Sequence, residues 1–270
     1  MNLREKKYAK FQLIKEMLDT IEIVNNFDPT QTKDIADKIK TVGRLLLTGE
    51  GSSRIFPAKN AIRKALTHGL DFSVITEGSR QAYQYDLSKY AVFCASNSGR
   101  TKEVLLLAQK LKDMRNEHRY ALTANKKTLL EKTCKKTFIL SCGWEKAVAA
   151  TKSVIEQALF YESIINHLHD GNKTINYAKL SSLIEQTLTI PIDVSIIDAA
   201  INAPTIYFAG YNDGVAEELT LKTNEITRKK SDYLEGTYAV HGIEEVMENN
   251  DIVFVIDPID EEWINLTKFL

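Results

Sequence analysis

Five short apolar runs recur along the first half of the chain: RLLLTG (44–49), DFSVIT (71–76), YAVFCAS (90–96), RYALTA (119–124) and KTFILS (136–141). A strand buried on one face alternates apolar and polar residues, whereas a strand buried on both faces does not, and these runs show little alternation. Between them lie IFPAKNAIRKALTHG, TKEVLLLAQKLKDM and TLLEKTC, which have helical spacing. Strands apolar on both sides and separated by helices predict an α/β fold with a parallel sheet covered on each face.

The rest of the chain extends this plan. FQLIKEMLDTIEIVNNFD reads as a helix ending at Asp28-Pro29. KAVAATKSVIEQALFYESIINHLHDG reads as one long helix, opened by the small residues Ala147, Ala149 and Ala150 and stopped at Gly171. Then the pattern begins again. TIYFAGYNDGVAEELTLKTNEITRKK (205–230) repeats the strand, glycine turn and amphipathic helix of RLLLTGEGSSRIFPAKNAIRKAL (44–66), with Gly210 in the place of Gly49. The next clear strand is DIVFVIDP (251–258). The expected organisation is an N-terminal helical segment over 1–40, a first α/β unit over 41–172, a helical connection over 173–202 and a second unit over 203–270, short or truncated.

Composition bounds the function classes. Of 270 residues 44% are hydrophobic, and Lys+Arg 35 against Asp+Glu 36 leaves a formal charge of -1. That balance argues against a nucleic-acid or membrane-surface partner. The chain lacks an apolar run of the roughly 20 residues a membrane span needs. MNLREKKYAKF has no apolar core of a secretory signal, and Cys94, Cys134 and Cys142 fit no zinc spacing. The expectation is a cytoplasmic protein with reduced thiols.

The chemistry-bearing residues cluster at strand-to-helix turns. In a parallel sheet ligands collect beyond the carboxyl ends of the strands, where GEGSSR (49–54) and SNSGRT (96–101) both fall. Free N–H groups and the positive dipole end at a helix start favour an anion. The hydroxyls of Ser96, Ser98 and Thr101 add donors, and Gly99 lets the backbone come close. A phosphate group is the natural guest, although neither common nucleotide fingerprint is present. The alternative is that Ser96 or Ser98 is an ordinary helix cap. In EKAVAATK (145–152), small residues admit either a ligand or a packed backbone. Glu218, Lys222 and Glu225 share one helix face, either as a solvated charged stripe or as a catalytic set. His241, beside a glycine, is either a surface residue or a proton shuttle. A carboxylate and a histidine near a phosphate cradle are the parts that sugar isomerisation needs.

Taken together, GEGSSR, SNSGRT, EKAVAATK and ELTLKTNEI followed by HG resemble the motifs of the double sugar-isomerase (SIS) domain family. The likeness runs from about residue 40 onward. It is closest to the isomerase half of glucosamine-6-phosphate synthase and to related phosphosugar isomerases, deaminases and deglycases. The resemblance implies two tandem three-layer α/β/α units, the second incomplete. The family's phosphate loop, Ser-x-Ser-Gly-x-Thr, falls on Ser96, Ser98, Gly99 and Thr101, with Asn97 in place of the synthase's glutamine, so that Ser96, Asn97, Ser98 and Thr101 would hold the phosphate. Ser53 falls on the serine of the first loop, and the sugar-touching backbone falls on Val148 and Ala150 within 148–152. The isomerising glutamate falls on Glu225, with Lys222 and Glu218 as its companions. The ring-opening histidine stands sixteen residues beyond that glutamate, at His241. The resemblance further implies an enzyme acting on a hexose 6-phosphate, an amino sugar or sugar–amine adduct, by aldose–ketose isomerisation with or without loss of the amine. It would need no cofactor and no metal, and would work as a homodimer with shared active sites. The synthase's nucleophilic cysteine has no counterpart before Cys94, so glutaminase activity is not expected; its tail lysine, which serves sugar binding and ring opening, has no counterpart near Lys268. The alternative is a non-catalytic phosphosugar sensor or regulatory protein.

Overall fold

A computed structural model describes residues 2–169 and 175–258. The chain divides into two compact units at Thr189/Ile190.

The first unit is built on a sheet of β1 (Arg44–Gly49), β2 (Ser73–Gly78), β3 (Ala91–Ala95), β4 (Arg119–Thr123) and β5 (Lys136–Ile139). All neighbours are parallel and the order is β2-β1-β3-β4-β5. The expected strands are all present; DFSVIT is shifted, since β2 begins at Ser73. The central strands β3 and β4 are buried throughout because each face meets its own core. The twofold side-chain period divides them. Leu45, Leu47, Phe93, Tyr120 and Leu122 point into one cluster; Leu46, Val92, Cys94 and Ala121 point into the other. On the first face Phe93 lies at the centre of an aromatic group, with ring centroids 5.2 Å from Tyr120 and 5.8 Å from Phe138, Phe160 and Tyr161.

Helices cover both faces. On one side are α1 (Gln12–Asn25), α2 (Lys33–Val42) and α3 (Ile55–Thr67); on the other are the short α4 (Ser79–Ala82), α5 (Lys102–Asp113) and α6 (Leu129–Thr133). α7 (Lys152–Leu168) is buried over nearly its whole length against α1, α2 and α3. The segment expected to open this helix does not. Ala147, Ala149 and Ala150 stand in a loop, and the helix starts at Lys152. Alanine favours helix intrinsically, but two carboxylates hold this backbone elsewhere. Glu16 of α1 accepts from the N–H of Lys146 (2.6 Å) and Ala147 (3.1 Å), and Glu145 accepts from that of Thr151 (2.7 Å). The expected stop at Gly171 lies outside the described residues.

The stretch anticipated as a connection contains α8 (Tyr177–Thr189) and α9 (Val194–Asn202). α8 is tied to the first unit: Ser181 Oγ donates to the Ile21 carbonyl (2.7 Å) and Leu3 N–H to that of Leu188 (3.1 Å). α9 belongs to the second unit with β6 (Thr205–Gly210), α10 (Val215–Thr227), β7 (Lys230–Glu235) and β8 (Ile252–Val255). Its sheet is parallel in the order β7-β6-β8. β7 escaped the sequence reading because KSDYLE buries only Leu234; its charges guard a sheet edge among the described residues. With β7 included, the repeat is topological. β6 is central with successive strands on either side, as β1 is central between β2 and β3. Residues 259–270 of the expected second unit lie outside the described residues.

Candidate phosphate cradle and acid–base cluster

In the first sheet the chain leaves β1 toward β2 on one side, then returns to place β3 on the other. β1 and β3 therefore flank the switch point of the sheet, the place where parallel α/β sheets have their crevice, and GEGSSR and SNSGRT follow these two strands. Gly49 is needed for the approach: a methyl there would lie 2.7 Å from the Ser53 carbonyl oxygen and 3.0 Å from that of Ala95. Ser53 ends a single 3-10 turn, Gly51–Ser53, and its carbonyl accepts from Gln157 Nε2 of α7 at 2.7 Å.

The second loop is tightly wound. Gly99 N–H donates to the Ser96 carbonyl (3.0 Å), and Gly99 has φ +62, a left-handed conformation that favours glycine. Its absent side chain also leaves room for Thr128, whose Cβ would lie 2.5 Å from an added methyl. The hydroxyls of Ser96 and Thr101 are 2.8 Å apart, while Ser98 Oγ accepts from Arg100 N–H at 3.2 Å. Neither serine caps the helix. Thr101 is the capping residue of α5, and its side chain makes no cap hydrogen bond. The hydroxyls of Ser96 and Thr101 thus stand at a helix start that its own N-cap side chain leaves open. Asn97 is turned inward. Its Nδ2 donates to Glu145 Oε2 (2.7 Å) and to Ser153 Oγ (3.0 Å).

The EKAVAATK loop is shaped by buried acids. Glu145 Oε1 accepts from Thr151 N–H and Oγ1 (2.7 and 3.0 Å) and from Ser153 N–H (3.4 Å), and its Oε2 accepts from Ser153 Oγ. Glu156 accepts from Ser141 and Cys142 N–H, both at 2.7 Å, fixing the exit from β5. Burial disfavours the charged form of Glu16, but the N–H groups of Lys146 and Ala147, Gln12 and the Lys152 ammonium outweigh it and lower its carboxyl below the ordinary 4.5. Val148 is 98% exposed and Ala150 half-buried, while Ala149 between them is buried.

The second set of expected residues stands on the second unit. α10 places Lys222 Nζ 2.9 Å from Glu225 Oε2 and 3.4 Å from Glu218 Oε1. Glu218 is buried, and neither of its oxygens has a hydrogen-bond partner among the described residues; Lys222 is the cation that balances it. Glu225 is exposed. His241 is exposed, in the turn after β7, where its N–H donates to the Tyr238 carbonyl (3.2 Å). Its side chain bonds none of the acids among the described residues. The structure thus gathers Ser96 with Thr101, and Glu218 with Lys222 and Glu225, while His241 stands by itself in its unit. Sequence reasoning passed over Glu145, Glu16 and Glu156. No short-range pattern marks an acid that caps a helix from outside it or reaches across from another element.

Solved structures share this architecture of two parallel α/β sheets. The C-terminal domain of glucosamine-fructose-6-phosphate aminotransferase from Francisella tularensis matches with TM-score 0.72 and 19% identity, over 98% of this chain and 80% of that one. Glucosamine-6-phosphate deaminase from Thermotoga maritima matches with TM-score 0.65 and 19% identity, over 94% and 81%. Tagatose-6-phosphate ketose/aldose isomerase from Escherichia coli matches with TM-score 0.69 and 15% identity, over 92% and 73%. At these identities the likeness is one of fold. No family model and no curated protein matches the chain by sequence. Among the described residues no single helix is long and apolar enough to cross a membrane.

Proposed function

We propose that the chain is a phosphosugar isomerase-type enzyme that acts on a hexose 6-phosphate, either an amino sugar or a sugar–amine adduct, with or without release of the amine. The observation that carries the reading is the uncapped start of α5 ringed by the hydroxyls of Ser96, Ser98 and Thr101. In it these hydroxyls and the α5 N–H groups hold the phosphate, with Ser53 beside them. The backbone at Val148 and Ala150 meets the sugar. His241 opens the ring by moving a proton onto the ring oxygen. Glu225 takes the proton from one of C1 and C2 and returns it to the other through an enediol or enediolamine. Lys222 stabilises the negative charge that develops on the way, and Glu218 orients it. Neighbours of the same fold that are named as isomerases and as a deaminase support this class. The resemblance adds a homodimer with shared sites, which light scattering with size exclusion tests.

The decisive experiment is proton exchange in heavy water. The protein is incubated with fructose 6-phosphate, glucosamine 6-phosphate, galactosamine 6-phosphate and a fructosamine 6-phosphate, and NMR follows deuterium entering C1 or C2. Exchange with one sugar that disappears in Glu225→Gln, with phosphosugar binding retained, is the expected result. Full exchange in that variant would sink the assignment of Glu225. Binding without exchange by any sugar would make the chain a phosphosugar sensor instead.

A further inference from the structure

We propose that Glu145 is a positioning residue that locks the phosphate loop to the sugar-facing segment through Asn97 and Ser153. The inference rests on the reading of residues 96–101 as a phosphosugar cradle and extends it to a residue that touches no ligand.

Asn97 is the pivot. Its main-chain carbonyl accepts from Thr123 Oγ1 (3.0 Å), Asn125 Nδ2 (2.8 Å) and Ala124 N–H (3.2 Å), pinning the loop to the end of β4. Its side chain reaches the other way. An amide nitrogen has two hydrogens, and here one goes to Glu145 Oε2 and one to Ser153 Oγ. No side-chain donor remains for a phosphate, so Asn97, expected among the phosphate-holding residues, serves instead by orienting the loop. Asn97 Oδ1 is buried with no partner among the described residues, so the amide cannot reverse without burying an unpaired donor there.

Glu145 is the group that fixes this orientation. It is buried, and its two oxygens receive Thr151 N–H, Thr151 Oγ1, Ser153 N–H, Ser153 Oγ and Asn97 Nδ2. Only an ionised carboxylate accepts at every one of those sites. The same side chain therefore sets the entry of α7, the path of 146–151 and the tilt of the phosphate loop. A glutamine keeps the shape and breaks the logic. Its carbonyl would serve the Thr151 side, and its NH₂ would face the NH₂ of Asn97. Coupled groups of this kind respond non-additively to substitution.

The test is a double-mutant cycle of Glu145→Gln and Asn97→Ala, read by calorimetric affinity for fructose 6-phosphate and by hydrogen exchange of the amides at 97–100. Each single change is expected to weaken binding about tenfold, and the double variant to be no weaker than about the worse single variant. The 97–100 amides should exchange faster in Glu145→Gln. Ser153→Ala, which keeps the carboxylate, should show the same signature in smaller measure and stands in if the glutamine variant fails to fold. Effects that multiply in the double variant, or unchanged exchange at 97–100, would overturn the proposal, because an acid serving only the start of α7 gives that result. If the wild-type protein binds no phosphosugar, the cradle reading fails by itself, and the exchange comparison still decides the lock.

Discussion

Gly99→Ala is the perturbation that most directly challenges the geometry of the 96–101 loop. Two costs arise from the coordinates. The first is conformational: φ +62 is left-handed, which costs an alanine about 1–2 kcal/mol. The second is steric: the new methyl would sit 2.5 Å from Thr128 Cβ and 2.6 Å from Thr128 Cγ2. Thr128 cannot swing away cheaply, since Cβ is fixed to the backbone and Oγ1 accepts from Glu131 N–H at the start of α6 (3.1 Å). Overpacking of this kind costs about 1–3 kcal/mol, for a total of about 2–5 kcal/mol. Gly69 supplies the control. It has the same φ, +62, and an added methyl there would meet nothing within 4 Å. Gly69→Ala should therefore show only the conformational cost. Equilibrium urea unfolding followed by circular dichroism measures both variants. Gly99→Ala should be the less stable by about 1–3 kcal/mol, and its affinity for fructose 6-phosphate should fall as well. Equal losses in the two variants would refute the close packing of the loop on Thr128.

Other outcomes rest on the same structure. Phe93→Ala removes the centre of the aromatic group and should cost about 3–5 kcal/mol in the same unfolding assay. The lowered carboxyl of Glu16 contributes stability that is fully present above the ordinary carboxylate value and is lost as pH falls through its folded value. Glu16→Gln should accordingly flatten the acid limb of a stability–pH profile below about pH 5. Burial pushes the Cys142 thiol up, while the Cys94 thiol is raised by its contact with Cys134 and by burial. Iodoacetamide should thus label the half-buried Cys134 first, as peptide mapping would show.

The parallel sheet was legible because β1, β3 and β4 are buried on both faces, and such strands announce themselves as unbroken apolar runs. β7 was not, because an edge strand that buries one side chain leaves no periodic trace. The start of α7 was misplaced for a different reason. Local propensity at Ala147 to Ala150 points to helix, and the contrary instruction comes from Glu16, far away in sequence. The hydroxyls of the phosphate loop were visible as a motif, but which of them caps α5 was a question only geometry could answer. The inward turn of Asn97 could not be read at all, since it depends on Glu145, whose partners lie on two segments distant from each other in sequence.

The loop over 145–151 is held by main-chain N–H groups given to Glu16 and Glu145, while Lys146 and Val148 are exposed. Its path is therefore largely indifferent to what those two side chains are. Such a segment is an interchangeable face on fixed anchors. Selection, or a designer, could exchange residues 146 and 148 for other non-proline side chains to retune what the protein favours, at little risk to folding. The acids beneath carry the opposite constraint: they are the residues a lineage with this loop cannot let drift.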